Sequence, residues 1–92
     1  ADYPVVAFEQ VTTRYTINMT VNDRVGVLAD LTARFAKAGI SLSAVRQEES
    51  GDEAHLIVVT HAALEEDLKA IVEQLAGHDD VLAVNSVIRL DS

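Results

Sequence analysis

Twice in 92 residues the apolar positions switch from a period of two to a period near 3.6 and back. In Arg14 to Asn22 (R-Y-T-I-N-M-T-V-N), Tyr15, Ile17, Met19 and Val21 alternate with polar residues, as in a strand with one buried face. Asp23-Arg24-Val25-Gly26 interrupts it, and Leu28, Leu31, Phe35 and Ala38 then fall on one face of a helix that Gly39 ends. Ile40 to Glu48 reads as a second strand with Ile40, Leu42 and Ala44 in phase; the phase slips at Val45, which predicts a bulge or an early end. Glu49-Ser50-Gly51-Asp52 makes a hairpin turn into a third strand, Ala54 to His61, whose Leu56-Ile57-Val58-Val59 run is apolar on both faces, as in a central strand. Leu64, Leu68, Ile71 and Leu75 mark a second helix, with Glu65, Glu66 and Asp67 in its first turn and Gly77 as its stop. Val81 to Leu90 closes the chain as a fourth strand.

The order βαββαβ predicts an α+β ferredoxin-like domain, a four-stranded antiparallel sheet with both helices on one face. The first and third strands are expected at the centre, the second and fourth at the edges. Two third-strand aliphatics, Ile57 and Val59 or Leu56 and Val58, must then point to the face without helices, where an apolar patch favours a partner. Isolated surface aliphatics are also ordinary. Residues 1–13 fall outside the repeat and are expected to be a connector or, through Val5-Val6-Ala7-Phe8, a short added strand; residues 14–92 form the domain. Starting at Ala1, the chain reads as a piece of a longer protein, although removal of an initiator Met before Ala gives the same start.

A net charge of −8, with the arginines scattered, argues against nucleic acid. RNA recognition on an open sheet needs aromatics there, and among the strands only Tyr15 supplies one, on the buried stripe. No cysteine is present, so thiolate metal sites and thiol nucleophiles are excluded. With no apolar run of the ~20 residues a bilayer span needs and no signal peptide, a cytoplasmic domain is expected. His55 and His61 lie six residues apart on one strand, about 20 Å at ~3.3 Å per residue, too far to share a metal. His78 beside Asp79 and Asp80 reads as a chance surface cluster. Acylphosphatase-type catalysis on this topology needs an Arg in the first loop, which Arg24 supplies, and an Asn nearby, where the second strand offers Ser41 and Ser43. No nucleophile–base pair is evident, and no G-x-G-x-x-G follows a strand, so neither catalysis nor a cofactor is expected in this chain.

The segment V-N-D-R-V-G-V-L, with G-I-S-L-S-A-V-R-Q after the helix, resembles the ACT domain family. V-T-T-R-Y, A-H-L-I-V-V-T-H and V-N-S-V-I-R-L resemble a subset of that family, the C-terminal regulatory tails of bacterial homoserine dehydrogenases, over roughly Val11 to Leu90. The resemblance implies a parent enzyme that reduces aspartate semialdehyde to homoserine with NAD or NADP, and a domain partnered by that enzyme's catalytic part, by a second copy of itself, and by an amino-acid effector, threonine first. Two positions depart from the pattern: Val25 stands where many ACT domains have Pro, and Ser41 where some ligand-binding members have Asn. The second departure removes an amide that could hold a ligand.

The expected ligand-binding set is Asn22, Asp23, Arg24, Val25, Gly26, Val27 and Leu28, with Ser41 contributed by a neighbouring subunit. Gly26 lets the backbone turn tightly and a ligand approach closely. Free N–H groups of Val27 and Leu28 at a helix start suit a carboxylate. Asp23 or backbone carbonyls could take an ammonium, and Asn22 a side-chain hydrogen bond. In the competing account Asp23 only caps the helix and Gly26 only makes the turn. A dimerisation module without a ligand shares nearly all these features, because the edge strand at Ile40 to Glu48 has few devices to block pairing.

Overall fold

The computed structural model describes residues 12–90. The elements run β1 (Thr12–Asn22), α1 (Val27–Lys37), β2 (Leu42–Ser50), β3 (Glu53–Thr60), β4 (Ala63–Leu64), α2 (Glu65–Ala76) and β5 (Val81–Leu90). β1 pairs antiparallel with β3 on one side and β5 on the other, and β2 pairs antiparallel with the far edge of β3. The four long strands thus lie in the order β2-β3-β1-β5, with the first and third strands central as expected. β4, which the periodicity did not suggest, pairs with Thr12 and Thr13 and extends the β1 ladder just before α2. β1 begins two residues ahead of its expected start; residues 1–11, the rest of the expected connector, lie outside the described part.

One parity of side chains fills the core. Tyr15, Ile17, Met19 and Val21 of β1 and Ala54, Leu56 and Val58 of β3 are buried against Val27, Leu31 and Phe35 of α1 and Leu68, Ile71 and Leu75 of α2. Both helices therefore cover the same face of the sheet. Fully burying a Leu, Ile or Phe stabilises the fold by roughly 1.5–3 kcal/mol each, so this aliphatic layer is the main term holding it together. The opposite parity of β3 puts Ile57 and Val59 on the open face, each half-buried.

Two details differ from the expected phase. In α1 the buried stripe begins at Val27, while Leu28 is 37% exposed. In β2 the ladder is irregular between Leu42 and Ala44, one step before the expected slip. Leu42 pairs with the buried Thr60 and Ala44 with Val59, so Ala44 faces the open side, and Val45 and Gln47, opposite Val58 and Leu56, face the helix side. The extra residue of the bulge, Ser43, inverts the phase of everything after it.

Both ends of α1 are set by glycine. Gly39 has φ +79°, and the Ile40 N–H bonds the Phe35 carbonyl at 3.0 Å while the Gly39 N–H bonds that of Ala36 at 3.0 Å, a Schellman termination. Gly26 has φ +89° and stands as the N-cap. α2 starts from Leu64, whose extended backbone (φ −72°, ψ 140°) makes it the N-cap rather than a helical residue.

Candidate functional site

Three backbone bonds anchor the β1–α1 turn. Asn22 N–H donates to Asp80 O at 2.8 Å, Asp23 N–H to Asp52 O at 3.0 Å, and Arg24 N–H to Asn22 O at 3.1 Å. The chain is thereby tied to the β2–β3 hairpin on one side and to the start of β5 on the other. No side chain caps α1, so the account in which Asp23 serves as its cap does not hold. The Val27 N–H, expected to be free, is taken by Arg24 O at 3.2 Å. The Leu28 N–H has no partner among the described residues, which leaves an open donor at the positive end of the helix.

Beside this turn lies a cleft of about 80 Å³ lined by Val21, Asn22, Asp23, Arg24, Gly26, Val27, Leu28, Gln47 and Leu56. Its floor is apolar, made by the buried Val21, Val27 and Leu56. Its rim carries one cation, one carboxylate and two side-chain amides, from Arg24, Asp23, Asn22 and Gln47. A small zwitterion with a short side chain matches that distribution, with its polar groups at the rim and its carbon end on the floor.

Six of the eight residues expected from sequence line the cleft. Val25 does not: it is fully exposed and points away. Nor does Ser41 of the same chain. Ser41 precedes β2 at the end of the sheet where its carbonyl accepts the His61 N–H at 2.9 Å, whereas Gln47 lies at the cleft. Six residues of extended chain separate the two, about 20 Å. Val21, Gln47 and Leu56 complete the lining and were not in the expected set. The Gln47 side belongs to the helix face only because the bulge at Ser43 reverses the strand's phase, and the slip at Val45 was the one signal pointing to it.

A polar chain runs behind the cleft. Asp80 Oδ1 accepts from Asn22 Nδ2 and from Arg24 Nη1, both at 3.2 Å. The Asp80 N–H donates to His78 Nδ1 at 2.9 Å, and His78 Nε2 lies 2.6 Å from Asp30 Oδ2 on α1. The hydrogen bond from His78 holds the Asp30 carboxyl below the usual carboxylate range, with the nearby Arg34 adding to the effect. His78 is therefore no chance surface cluster. Its side chain is only 9% exposed and bridges two elements.

This architecture, with its glycine-turned cleft at the head of the first helix, is that of a small regulatory domain: the chain belongs to the ACT domain family, which matches it over residues 15–79. Among its relatives, the homoserine dehydrogenase of Corynebacterium glutamicum is 55% identical over 91 residues, 99% of this chain and 20% of that protein. The crystal structure of a homoserine dehydrogenase from Thiobacillus denitrificans superposes with a TM-score of 0.83 at 33% identity, over 100% of this chain and 20% of that one. The ACT domain from GTP pyrophosphokinase of Chlorobium tepidum shares the fold, with a TM-score of 0.67 at 14% identity over 86% of this chain and 99% of that one. The chain spans about a fifth of the length of the homoserine dehydrogenases it matches.

Proposed function

We propose that this ACT domain binds a free amino acid, threonine before isoleucine, methionine, serine or valine, and reports its presence to the catalytic part of a cytoplasmic homoserine dehydrogenase. The observation that carries the reading is the cleft at the head of α1: an apolar floor, an open Leu28 N–H and a rim bearing Asp23, Arg24, Asn22 and Gln47. The carboxylate of the effector sits at the helix head. Its ammonium is taken by Asp23, whose carboxylate has no partner among the described residues. The side-chain methyl of threonine meets Val21, Val27 and Leu56.

The site is completed by a second copy. The outer edge of β2 is unpaired among the described residues, and Val45 on that strand is exposed. Antiparallel pairing of two β2 edges sets the start of one strand against the end of the other. That brings the partner's Ser41 toward the cleft that its own chain holds about 20 Å away. A ligand shared across that seam favours one arrangement of the two copies, and this differential affinity is what lets it act on a distant catalytic centre. Nicotinamide chemistry belongs to the rest of such an enzyme. The only glycine in the β1–α1 turn here is Gly26, which does not make a dinucleotide cradle.

Calorimetric titration with the five amino acids at millimolar concentration, on protein shown by sedimentation to be dimeric, tests the reading. Heat with threonine and little with the others is expected. Silence with all five, and no thermal shift, leaves dimerisation alone as the role, which the exposed Val45 on β2 also supports.

A further inference from the structure

The polar chain behind the cleft joins three segments distant in sequence, and nothing in effector binding as such requires it. Asp80 is its hinge. The Asp80 carboxylate, 20% exposed, carries the contacts to Asn22 and Arg24, and its carbonyl takes the Asn22 N–H. Its own N–H is satisfied by His78 Nδ1. Because Nδ1 accepts a backbone proton, the ring carries its hydrogen on Nε2, directed at Asp30 of α1. We propose that His78 and Asp80 are positioning residues for the cleft: the ring holds Asp80 in place, Asp80 holds Asn22 and Arg24 at the rim, and a proton added to the ring releases this clamp.

The release follows from donor and acceptor counting. A second proton on Nδ1 faces the Asp80 N–H, so two donors meet and that bond is lost. The same proton makes the contact with Asp30 ionic and draws the ring toward α1. The charged groups around the ring all bear on this balance. Asp30 and Arg34 lie on α1, Asp79 and Asp80 in the ring's own turn, and Arg24 one contact further in the β1–α1 turn. Among the described residues the exposed Arg24 guanidinium, 71% accessible, pairs only with the Asp80 carboxylate, so displacement of Asp80 frees it to swing from the rim.

The part of this proposal that concerns effector affinity rests on the effector reading above; the coupling of ring to rim does not. Nitrogen-15 correlation spectra of the full chain across about pH 5 to 8, the range in which imidazoles titrate, read the coupling without any ligand. The Asn22 side-chain amide, the Arg24 Nε–H and the Gly26 amide are expected to shift along the titration of the His78 ring itself. Asp80→Asn keeps the backbone contact to the ring and removes the carboxylate. In that variant the ring still titrates, and the Arg24 and Asn22 side-chain signals stop following it. His78→Gln abolishes the shared titration in all three signals. A ring that does not titrate in the wild type, or one whose titration leaves the rim signals unmoved, overturns the proposal. Threonine titration of wild type and Asp80→Asn then separates the two readings. Severalfold weaker binding in the variant extends the clamp to the effector, and equal affinity in the two proteins overturns its role in binding. Absence of binding to the wild type sinks the effector reading, and the clamp is then judged on the spectra.

Discussion

Thr60 is the only buried polar residue among those described, and it is fully enclosed in the helix-facing layer. Its Oγ1 accepts the Tyr15 N–H at 3.1 Å, so the hydroxyl closes a backbone donor in the gap between the β1–β3 ladder, which stops at Thr16 with Val59, and the β1–β4 pairing of Thr13 with Ala63. Tyr15 shows the opposite situation: its own hydroxyl is buried and has no partner among the described residues. The two substitutions that remove these hydroxyls should therefore differ in sign. Thr60→Val, which preserves shape, strands a buried N–H and is expected to cost about 1–3 kcal/mol in chemical denaturation. Tyr15→Phe removes an unsatisfied group and is expected to leave stability unchanged or raise it. A Thr60→Val protein as stable as wild type would show that water reaches the Tyr15 amide.

Among the elements, α1 carries both the core and the site. Leu31 and Phe35 are each 1% exposed, and the cleft at the helix head exists only while that stripe is seated on β1 and β3. Leu31→Ala is expected to destabilise by about 2–5 kcal/mol, measured as a fall in the denaturant midpoint. Because this loosens the helix rather than the rim, effector affinity should fall alongside stability. A variant that loses stability but binds normally would place the site away from the helix head. The helix ends were the easier part to read from sequence, since Gly39 and Gly77 stand one or two residues past the last helical turn. Its inward stripe was misread by one residue, Leu28 for Val27, because the periodic pattern accommodates either residue and only the approach angle of the turn chooses between them.

At the scale of the whole molecule, the question is what covers the free edge of β2. Each copy carries a net charge of −8, so two copies repel at long range and the proposed dimer depends on short-range contact. In the proposed pairing of two β2 edges, Val45, 39% exposed on the helix side of that strand, lies at the seam. Val45→Lys is expected to yield a monomer by sedimentation while changing stability by no more than about 0.5 kcal/mol, as for other surface substitutions. Wild-type association should strengthen as added salt screens the repulsion. A Val45→Lys protein that remains dimeric would move the interface elsewhere, to the exposed Leu82, Val87 and Ile88 of β5.

The order of the four long strands and two helices and the glycine turn at Gly26 were determined locally, by the period of the apolar residues and by backbone conformations open only to glycine, and the central place of β1 and β3 followed from that order through right-handed crossovers. Six of the cleft's residues followed from that turn, because neighbours along a short loop are neighbours in space. The contribution of Gln47, the open-side position of Ala44, and the bridge from Asp30 through His78 and Asp80 to Arg24 were decided only in three dimensions. A bulge shifts a strand's phase by one residue wherever it falls, and contacts between residues 24, 30, 78 and 80 depend on how separate elements dock, which no local pattern encodes.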